Sequence, residues 1–317
     1  MEFKLDETIE GFQFPPLVGI RRIGHNHVLQ LLIPLATRPV VRTVYAPSPD
    51  TAHILTCLDA ERERILVVTD GEPAISDDVE FLLDGTATLH HGGPRQFRWI
   101  KHPLLNVYLT QSDDLHEYAK GVAPSWQAIN PMYRPAESDA VSLRPPQYGG
   151  LFAVMSHWTT SRTAATVVMP TGTGKTDTMI ALLLTERCPR LLVLVPTDAL
   201  REQLANQFAT LGILPEALRL ESLPTKPEYP VVGVLQRTPQ SESDLRDYLR
   251  SCNVVVTTMA LVSGWRKPLL EVLAREFSHV FIDEAHHIAA KSWGAVRDAL
   301  SQRPIVQFTA TPFRNDG

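Results

Sequence analysis

A run rich in glycine and threonine, Met169-Pro170-Thr171-Gly172-Thr173-Gly174-Lys175-Thr176, has the residue types that bind a polyphosphate. Its glycines let the backbone turn with little side-chain bulk, so that several N–H groups can converge on one anion. Lys175 offers a cation to the β and γ phosphates, and the Thr176 hydroxyl is a ligand for Mg²⁺. The first glycine of the pattern G-x-x-x-x-G-K-[ST] is Met169 here, and we expect its side chain to point into the core.

A second run, Val280 to Glu284, is apolar until it ends in two carboxylates. At the carboxyl edge of a parallel sheet, Asp283 and Glu284 would face phosphates held by the first run. Asp283 is suited to holding Mg²⁺, and Glu284 to polarising an attacking water. Either run alone is weak support for a function, but together they predict hydrolysis of a nucleotide with Mg²⁺ as cofactor.

Strand-like and helix-like segments alternate around these two runs, which predicts a parallel sheet covered by helices. The predicted strands are Ala164 to Val168, Leu191 to Val195, Val231 to Leu235, Asn253 to Thr257, His279 to Asp283 and Ile305 to Thr309. The predicted helices include Lys175 to Glu186, Ala199 to Leu211, Ser243 to Arg250 and Leu269 to Glu276.

With these motifs the sequence resembles the superfamily-2 helicases and translocases of the DEAD/DEAH type, over Val141 to Gly317. The run Leu143 to Gln147 is similar to the segment that reads adenine in this family. The resemblance implies a RecA-like P-loop domain and ATP hydrolase activity with Lys175, Asp283 and Glu284 as catalytic residues. The residues that it implies hold ATP are Arg144, Gln147, Thr171, Gly172, Thr173, Gly174, Lys175 and Thr176, with Thr176 and Asp283 holding Mg²⁺.

The same resemblance implies contacts to a nucleic-acid backbone and residues that couple hydrolysis to strand movement. The implied backbone contacts are Pro196, Thr197, Gln203, Thr257 and Thr258, and the implied coupling residues are His286, Thr309 and Thr311. The residue sequence from Thr309 to Arg314 favours the branch of type I restriction translocases, excision-repair helicases and bacterial defence helicases, which mostly acts on DNA. Because Asp283 to His286 spells Asp-Glu-Ala-His, an RNA helicase of DEAH type stays an alternative.

Motors of this family need a second RecA-like domain, in cis or in trans, that carries an arginine finger. The finger contributes roughly 10³ to 10⁵ in turnover in phosphoryl-transfer enzymes. We therefore expect the chain to be the N-terminal portion of a longer motor and to hydrolyse ATP slowly by itself. In the alternative, it is an ATP-binding interaction module that does not move along a strand.

Composition indicates a cytoplasmic protein without a membrane segment. The longest apolar runs fall far short of the roughly 18 residues that a membrane span needs. Cys57, Cys188 and Cys252 are far apart, so neither a zinc ribbon nor a disulfide framework is predicted. Residues 1–140 contain 12 Lys and Arg against 19 Asp and Glu, a charge of −7, whereas the remaining residues carry +2.

Three regions follow from these patterns: an acidic, β-rich α+β domain at 1–120, a Pro-rich linker at 121–140 and the first RecA-like domain at 141–317. The strand-like runs of the first region are His27 to Ile33, Val40 to Tyr45, His53 to Cys57, Ile65 to Val68 and Phe97 to Leu109. Its acidity favours a protein partner over a nucleic acid. The run Arg95 to Lys101 interleaves basic and aromatic residues, either as a base-stacking platform or as an amphipathic strand with a buried aromatic face.

Overall fold

The computed structural model describes residues 11–34, 36–46, 52–59, 62–69, 81–84, 98–104, 115–129, 141–161, 163–284 and 290–311. The strands are β1 (Gly11–Phe14), β2 (Leu17–Ile23), β3 (Asn26–Ile33), β4 (Ala36–Ala46), β5 (Ala52–Asp59), β6 (Arg62–Thr69), β7 (Phe81–Asp84), β8 (Arg98–Lys101), β9 (Ala165–Val168), β10 (Leu191–Val195), β11 (Val232–Leu235), β12 (Val254–Thr258), β13 (His279–Ile282) and β14 (Ile305–Thr309). The helices are α1 (Leu115–Ser125), α2 (Pro145–Thr160), α3 (Lys175–Thr185), α4 (Asp198–Thr210), α5 (Leu214–Ala217), α6 (Glu242–Arg250), α7 (Met259–Ser263), α8 (Lys267–Glu276) and α9 (Ala290–Leu300).

Two compact units make up the chain. One comprises Met1–Gly19 and Leu31–Ser112, and the other comprises Ile20–Gln30 and Asp113–Gly317. The first unit contains a six-stranded sheet in the order β1-β4-β5-β6-β7-β8, in which only β6 and β7 pair in parallel. This sheet is the β-rich region that the sequence predicts ahead of the P-loop domain.

The eight-stranded sheet has the order β2-β3-β11-β12-β10-β13-β14-β9. Its six strands from β11 to β9 run parallel, and β3 joins them antiparallel to β11. Every residue of β10 and of β12 is buried, as expected for central strands whose sequences are almost uninterrupted runs of Leu, Val and Thr. The predicted α/β fold with a parallel P-loop sheet is therefore confirmed.

Helices lie on both faces of this sheet. From β9 to β10 to β11 the chain moves one way along the sheet, and from β11 through β12 and β13 to β14 it moves back. Since crossovers between parallel strands are right-handed, α3 and α4 fall on one face and α6, α8 and α9 on the other. Contacts agree with this division, because α3 packs against α4, and α8 packs against both α6 and α9.

Residues 121–129 differ from the linker that their proline content predicts. They complete α1 and form a 3₁₀ turn over Trp126–Ala128. The apolar side chains of Val122 and Trp126 are wholly buried, and Trp126 Nε1 donates to the carbonyl of Glu228 at 2.9 Å. Burial of these side chains outweighs Pro124, which lies in the last turn of α1. Residues 130–140 lie outside the described part of the chain.

Two strand predictions for the first 120 residues also differ from the structure. The run from Phe97 to Leu109 yields a strand only over β8, because His102 and Pro103 follow and proline has no N–H for a sheet. Residues 105–109 lie outside the described ranges. The run from His27 belongs to β3 and thus to the eight-stranded sheet, since its residues pair with β11.

Among the described residues, no helix is long and apolar enough to cross a membrane. Cys188 and Cys252 are buried free thiols, and burial raises the pKa of each above its ordinary value. Both thiols are therefore protonated at neutral pH and lie in the core as small apolar groups.

Candidate functional site

The carboxyl edge of the parallel strands brings the two chemical motifs together. Met169 follows β9, and its N–H donates to the carbonyl of Thr309 in β14 at 2.9 Å. Asp283 follows β13, and its N–H donates to the carbonyl of Leu194 in β10 at 2.9 Å. The backbone of the neighbouring strands therefore fixes where the phosphate loop and the acidic pair begin.

The loop from Pro170 to Gly174 needs its glycines. Gly172 and Gly174 have φ values of +80° and +91°, which side chains of L-amino acids rarely tolerate. Thr173 closes the turn, because its hydroxyl donates to the carbonyl of Pro170 at 2.6 Å. Gly174 is the residue immediately before α3, so that Lys175 and Thr176 are the first residues of the helix. The N–H groups of a first helical turn have no acceptor within the helix, so this position is suited to binding an anion.

Met169 occupies the position where the phosphate-loop pattern has its first glycine. Its side chain is buried, with 3% exposed, and its sulfur lies 3.7 Å from the Thr178 hydroxyl. A Cβ on Gly150 of α2 would lie 3.6 Å from the same sulfur. Met169 therefore packs between α2 and α3 and leaves the phosphate side of the loop clear.

The acidic pair contacts the lysine of the phosphate loop directly. Lys175 Nζ lies 2.6 Å from Glu284 Oε1, with side-chain exposures of 11% and 19%. Glu284 has a φ of +49°, a left-handed conformation that turns the chain sharply after β13. Backbone strain in this region costs on the order of 1–3 kcal/mol and often accompanies functional positions.

Asp283 lies beside this ion pair in an environment that disfavours its charge. Asp283 is 6% exposed. Burial, and to a smaller extent the neighbouring Glu284 carboxylate, raise the pKa of Asp283 to about 6, although the Lys175 ammonium lowers this pKa. Its Oδ1 is buried without a hydrogen-bond partner among the described residues. An unpaired carboxylate oxygen at this place is the donor type that a hard divalent cation prefers.

Arg144 and Gln147 reach the loop from the beginning of α2. Arg144 Nη1 donates to the carbonyl of Gly172 at 3.0 Å. Gln147, which is wholly buried, donates from Nε2 to the carbonyl of Gly174 at 3.3 Å. Both predicted nucleotide residues thus hold the phosphate loop itself. Thr171 is exposed at the start of the loop.

The predicted nucleic-acid contacts lie after β10 and at the end of β12, at the same edge of the sheet. Thr197 is exposed and begins α4, where its hydroxyl accepts from the N–H of Leu200. Thr258 begins α7 in the same manner and is 7% exposed. Thr257 is wholly buried, and its hydroxyl donates to the carbonyl of Leu235, so its side chain links β12 to the neighbouring strand β11. The two other predicted contacts are Pro196, half-buried before α4, and Gln203, exposed on α4.

Thr309 and Thr311, predicted to couple hydrolysis to movement, contact each other. The Thr309 hydroxyl accepts from the N–H of Thr311 at 3.3 Å and donates to its carbonyl at 2.9 Å. They therefore form a compact turn at the end of β14, beside the start of the phosphate loop. His286 and the residues after Thr311 lie outside the described ranges.

Two polar residues near the edge were missed by the sequence reasoning. Asp177 in α3 accepts from Gln147 Nε2 at 2.9 Å, and burial raises the pKa of Asp177. Asn26 at the start of β3 accepts from the N–H groups of Gln236 and Arg237 at 2.8 and 2.9 Å. Asp177 lies only two residues after Lys175, so its nearness to the phosphate loop is visible in the sequence. The partners of Asn26 lie 210 and 211 residues away in sequence and are not.

Comparison with known proteins places the site in a family. Residues 140–314, more than half of the chain, match the family described as "Type III restriction enzyme, res subunit". No curated protein sequence matches the chain.

Solved structures with similar coordinates include the UvsW helicase from bacteriophage T4, with a TM-score of 0.39 and 18% identity over 60% of this chain and 59% of that chain. A second structure of T4 UvsW has a TM-score of 0.38 and 17% identity over 60% of this chain and 34% of that chain. A hypothetical ATP-dependent RNA helicase from Sulfolobus tokodaii has a TM-score of 0.38 and 20% identity over 63% of this chain and 51% of that chain.

The matched part of this chain thus spans between about a third and three fifths of those chains. At such identities and TM-scores, the similarity indicates neither substrate nor activity. The family match over the phosphate loop, the acidic pair and the sheet that joins them is more specific. The chain therefore belongs to the family of type III restriction enzyme res subunits, and its matched part is the first RecA-like domain of a superfamily-2 helicase.

Proposed function

We propose that the chain is the ATP-binding part of a nucleic-acid motor that acts on DNA. The observation that carries this proposal is the convergence of Lys175, Asp283 and Glu284 at the carboxyl edge of the sheet, with Lys175 and Glu284 in an ion pair of 2.6 Å. Membership of this family supports a helicase function, and the residue sequence from Thr309 to Arg314 favours DNA over RNA as the substrate.

The residues present fit a divalent cation. The buried Oδ1 of Asp283 has no partner among the described residues, and Thr176 stands at the start of α3 with a hydroxyl. These two side chains would hold Mg²⁺, with Thr176 as a direct ligand. When bound, Mg²⁺ would neutralise part of the charge on the phosphate oxygens.

The other residues of the site have two roles, phosphate binding and proton transfer from water. N–H groups of the loop and of the first turn of α3 bind the phosphates, and Lys175 stabilises negative charge that develops on them. Glu284 orients the water that attacks the γ phosphate in line with the leaving oxygen and accepts its proton. The ion pair between Lys175 and Glu284 must loosen when the triphosphate binds, because one ammonium cannot serve both partners fully.

Nucleic acid would lie along the ends of β10 and β12. Thr197 and Thr258 begin helices there, and backbone N–H groups at such positions bind phosphate oxygens without regard to sequence. A second RecA-like domain, in cis or in trans, would complete the ATP site and the strand-binding surface. The alternative of an ATP-binding module that does not translocate predicts ATP binding without any effect of nucleic acid.

The test is a comparison of ATP turnover by the chain joined to its second RecA-like domain, with single-stranded DNA, duplex DNA, RNA or no nucleic acid present. For a DNA motor, we expect DNA to accelerate ATP turnover more than RNA does. Such a motor should also displace a labelled strand when ATP is hydrolysed. Turnover that none of the nucleic acids changes would favour the non-translocating module. Greater acceleration by RNA would support the DEAH-type alternative.

For residues 1–120 we propose a protein partner. Their excess of acidic residues opposes nucleic acid at long range. Trp99, which a base-stacking platform would have to expose, stacks on Phe14 at 5.9 Å, contacts His102 edge to face and donates from Nε1 to the carbonyl of Pro15. Arg95 and Phe97 lie outside the described residues. Filter binding of the Lys101→Ala variant tests this, since an unchanged DNA affinity is expected and a large loss would favour the platform.

A further inference from the structure

The hairpin of β2 and β3 ends at the same edge of the sheet as the ATP site. β3 pairs antiparallel with β11, with His27 opposite Val234, so β3 begins beside the carboxyl end of β11. The turn of the hairpin, Gly24 and His25, therefore lies at the carboxyl edge, beyond the ends of β12 and β10 where nucleic acid is proposed to bind. With neighbouring strands about 4.8 Å apart, the edge from β10 to β2 is about 19 Å wide.

The hairpin segment Ile20–Gln30 is basic, although residues 1–140 as a whole are acidic. It contains two arginines, two histidines and no aspartate or glutamate. The segment belongs to the compact unit that contains the P-loop sheet, yet it lies outside residues 140–314, which match the family. The overall acidity of the N-terminal region therefore does not describe the part of it that lies at this edge.

Asn26 attaches the loop after β11 to the hairpin. Its Oδ1 accepts from the N–H groups of Gln236 and Arg237 at 2.8 and 2.9 Å, and its Nδ2 donates to the carbonyl of Arg237 at 3.2 Å. Both backbone polar groups of Arg237 are thus held by β3, while the side chain of Arg237 is exposed. The hairpin therefore determines where this guanidinium leaves the sheet edge.

The same loop is tied to the two helices that begin at the proposed backbone contacts. Gln236 Nε2 donates to Oε1 of Glu202 in α4 at 2.8 Å. Trp265, which follows α7, donates from Nε1 to the Thr238 hydroxyl at 2.9 Å. Arg237 lies between Gln236 and Thr238, so its position is fixed relative to both helices as well as to the hairpin.

Arg22 lies on the α4 side of the hairpin. A two-residue turn places Arg22 opposite His27, and opposite residues of an antiparallel pair share one face of the sheet. His27 Nε2 lies 3.7 Å from Oε2 of Glu202 in α4. Burial lowers the pKa of His27, and the charges of Arg201 and Arg22 lower it further, whereas the Glu202 carboxylate raises it. The effect of Arg22 on His27 agrees with this placement.

The two guanidinium groups are available to an anion. Arg22 and Arg237 are exposed, and neither forms an ion pair among the described residues. The carboxylates of Asp198 and Glu202 on α4 are both paired with Arg201. The α4 side of the edge therefore offers two cations that the described part of the protein does not neutralise.

The opposite side of the hairpin has the opposite charge. Asp244 and Asp247 of α6 line a groove beside Gly24 and His25. Both carboxylates are exposed, so they repel a phosphate backbone from the α6 side. A strand that crosses the ends of β10, β12 and β11 is thereby directed to the α4 side, where Arg22 lies.

We propose that the hairpin of β2 and β3 extends the nucleic-acid-binding surface of the motor, with Arg22 and Arg237 as contacts to the phosphate backbone of a DNA strand. This inference rests on the proposed function and adds to it a binding element from outside the residues that match the family. Contacts to phosphate position a strand without reading its bases. Asn26 is a positioning residue, because it acts through the backbone of Arg237.

Binding of a labelled oligothymidine to the whole chain, measured by fluorescence anisotropy across a salt series, tests the proposal. Arg22→Gln and Arg237→Gln are each expected to weaken binding at low salt by roughly 3- to 10-fold, as for one charge-assisted contact at an exposed position. Each should also reduce the slope of log affinity against log salt by about 0.7, since one phosphate contact of a single strand is lost. Arg22→Lys and Arg237→Lys keep the charge and should keep the wild-type slope.

Arg275→Gln is the matched control. Arg275 is 74% exposed in the last turn of α8, at the opposite edge of the sheet, and its replacement removes the same charge. Its affinity for the oligothymidine is expected to stay within about twofold of wild type. Equal losses in Arg275→Gln and Arg22→Gln would show that net charge alone is responsible, and would overturn the inference. Thermal unfolding without DNA establishes that each variant is folded.

The same measurements separate this inference from the proposed function. If the folded wild-type chain binds no oligothymidine even at low salt, the proposed action on DNA fails and this inference fails with it. If the wild type binds and both glutamine variants bind as it does, the proposed function stands and only the inference is wrong. A loss in Arg237→Gln alone would end the binding surface at β11 and refute the part assigned to the hairpin.

Discussion

Lys175 Nζ lies 2.6 Å from Oε1 of Glu284, so the cation that we propose binds phosphate is paired with the carboxylate that we propose orients water. The pair connects the first residue of α3 to the turn after β13, although β14 lies between β13 and β9 in the sheet. In the proposed function, binding of a triphosphate would draw Lys175 toward the phosphates and free Glu284 to orient water. The ion pair would then couple nucleotide binding to hydrolysis.

Loss of the Lys175 ammonium is expected to abolish nucleotide binding. At a ligand concentration of 100 times the dissociation constant, ATP with Mg²⁺ would stabilise the wild-type chain by about 2.7 kcal/mol, which is visible as a higher melting temperature. Lys175→Ala should show no such shift. Lys267→Ala is a matched control, since Lys267 is exposed at the start of α8 and should keep the shift. A full shift in Lys175→Ala would contradict the assignment of the phosphate loop.

Replacing Glu284 by Gln separates binding from turnover. The amide cannot accept the proton of water and no longer forms an ion pair with Lys175. We expect nucleotide affinity to be unchanged or modestly higher, while turnover falls by roughly 10²-fold or more, the contribution typical of a positioned general base. Equilibrium binding and phosphate release, measured on the same preparation, give the two quantities. Turnover within a few fold of wild type would mean that another group orients the water.

Asp283 is predicted to lower stability at neutral pH. Because its pKa is raised to about 6 in the folded chain, the native state binds the proton more tightly than the unfolded state does. The favourable contribution is therefore complete below the unfolded pKa of about 4 and is lost as pH rises through 6. Asp283→Asn should raise the free energy of unfolding by about 1–3 kcal/mol at pH 7.5 and by much less near pH 4.

Urea unfolding of both proteins across this pH range measures the effect. Mg²⁺-dependent ATP binding to the same variant should be lost, and in wild type it should weaken as pH falls through 6 and Asp283 takes up a proton. A variant that is equally destabilised at both pH values would show that Asp283 supports the fold.

Gly174→Ala is expected to disrupt the phosphate loop. The residue has a φ of +91°, and an added Cβ would overlap the Gln147 side chain. Strain and overlap together should cost on the order of 2–4 kcal/mol and prevent ATP binding. The control is Gly149→Ala in α2, where an added Cβ meets no atom within 4 Å and alanine favours a helix by roughly 1 kcal/mol. Thermal unfolding and ATP binding distinguish the two variants, and equal behaviour would contradict the prediction.

Asn26, the first residue of β3 after a short turn, should be important for stability. Its residue is 6% exposed, it accepts from two backbone N–H groups, and its Nδ2 donates to the carbonyl of Arg237 at 3.2 Å. Asn26→Ala leaves these groups without partners and should lower the free energy of unfolding by about 2–3 kcal/mol. The neighbouring His25 is exposed, so His25→Ala should change it by less than about 0.5 kcal/mol. Comparable losses in both variants would contradict this role.

Local patterns were sufficient to predict the P-loop sheet. All six parallel strands were located to within a residue at each end, since central strands need uninterrupted apolar runs and phosphate loops need glycines. The pairing of Lys175 with Glu284 was not foreseen, because it depends on a left-handed turn at a glutamate. The burial of Gln147 was likewise hidden, since sequence does not reveal whether an amide faces a ligand or its own backbone.

Long-range pairing explains the differences near the N-terminus. Nothing in the run from His27 to Ile33 indicates which sheet it joins, because its partner strand lies about 200 residues later in the chain. The helical character of residues 121–129 also cannot be predicted from their proline content, because it depends on the burial of Trp126 and on its hydrogen bond to the distant carbonyl of Glu228.

The antiparallel pairing of β3 with β11 has a practical consequence for anyone who isolates the ATP-binding unit. A protein that starts at residue 141 would lack β3 and leave one side of β11 without hydrogen-bond partners, even though every residue of β11 is buried in the whole chain. An open, apolar strand edge is a template for pairing with other molecules. Such a truncated protein should tend to aggregate, whereas one that retains Ile20–Gln30 covers that edge and should remain dispersed.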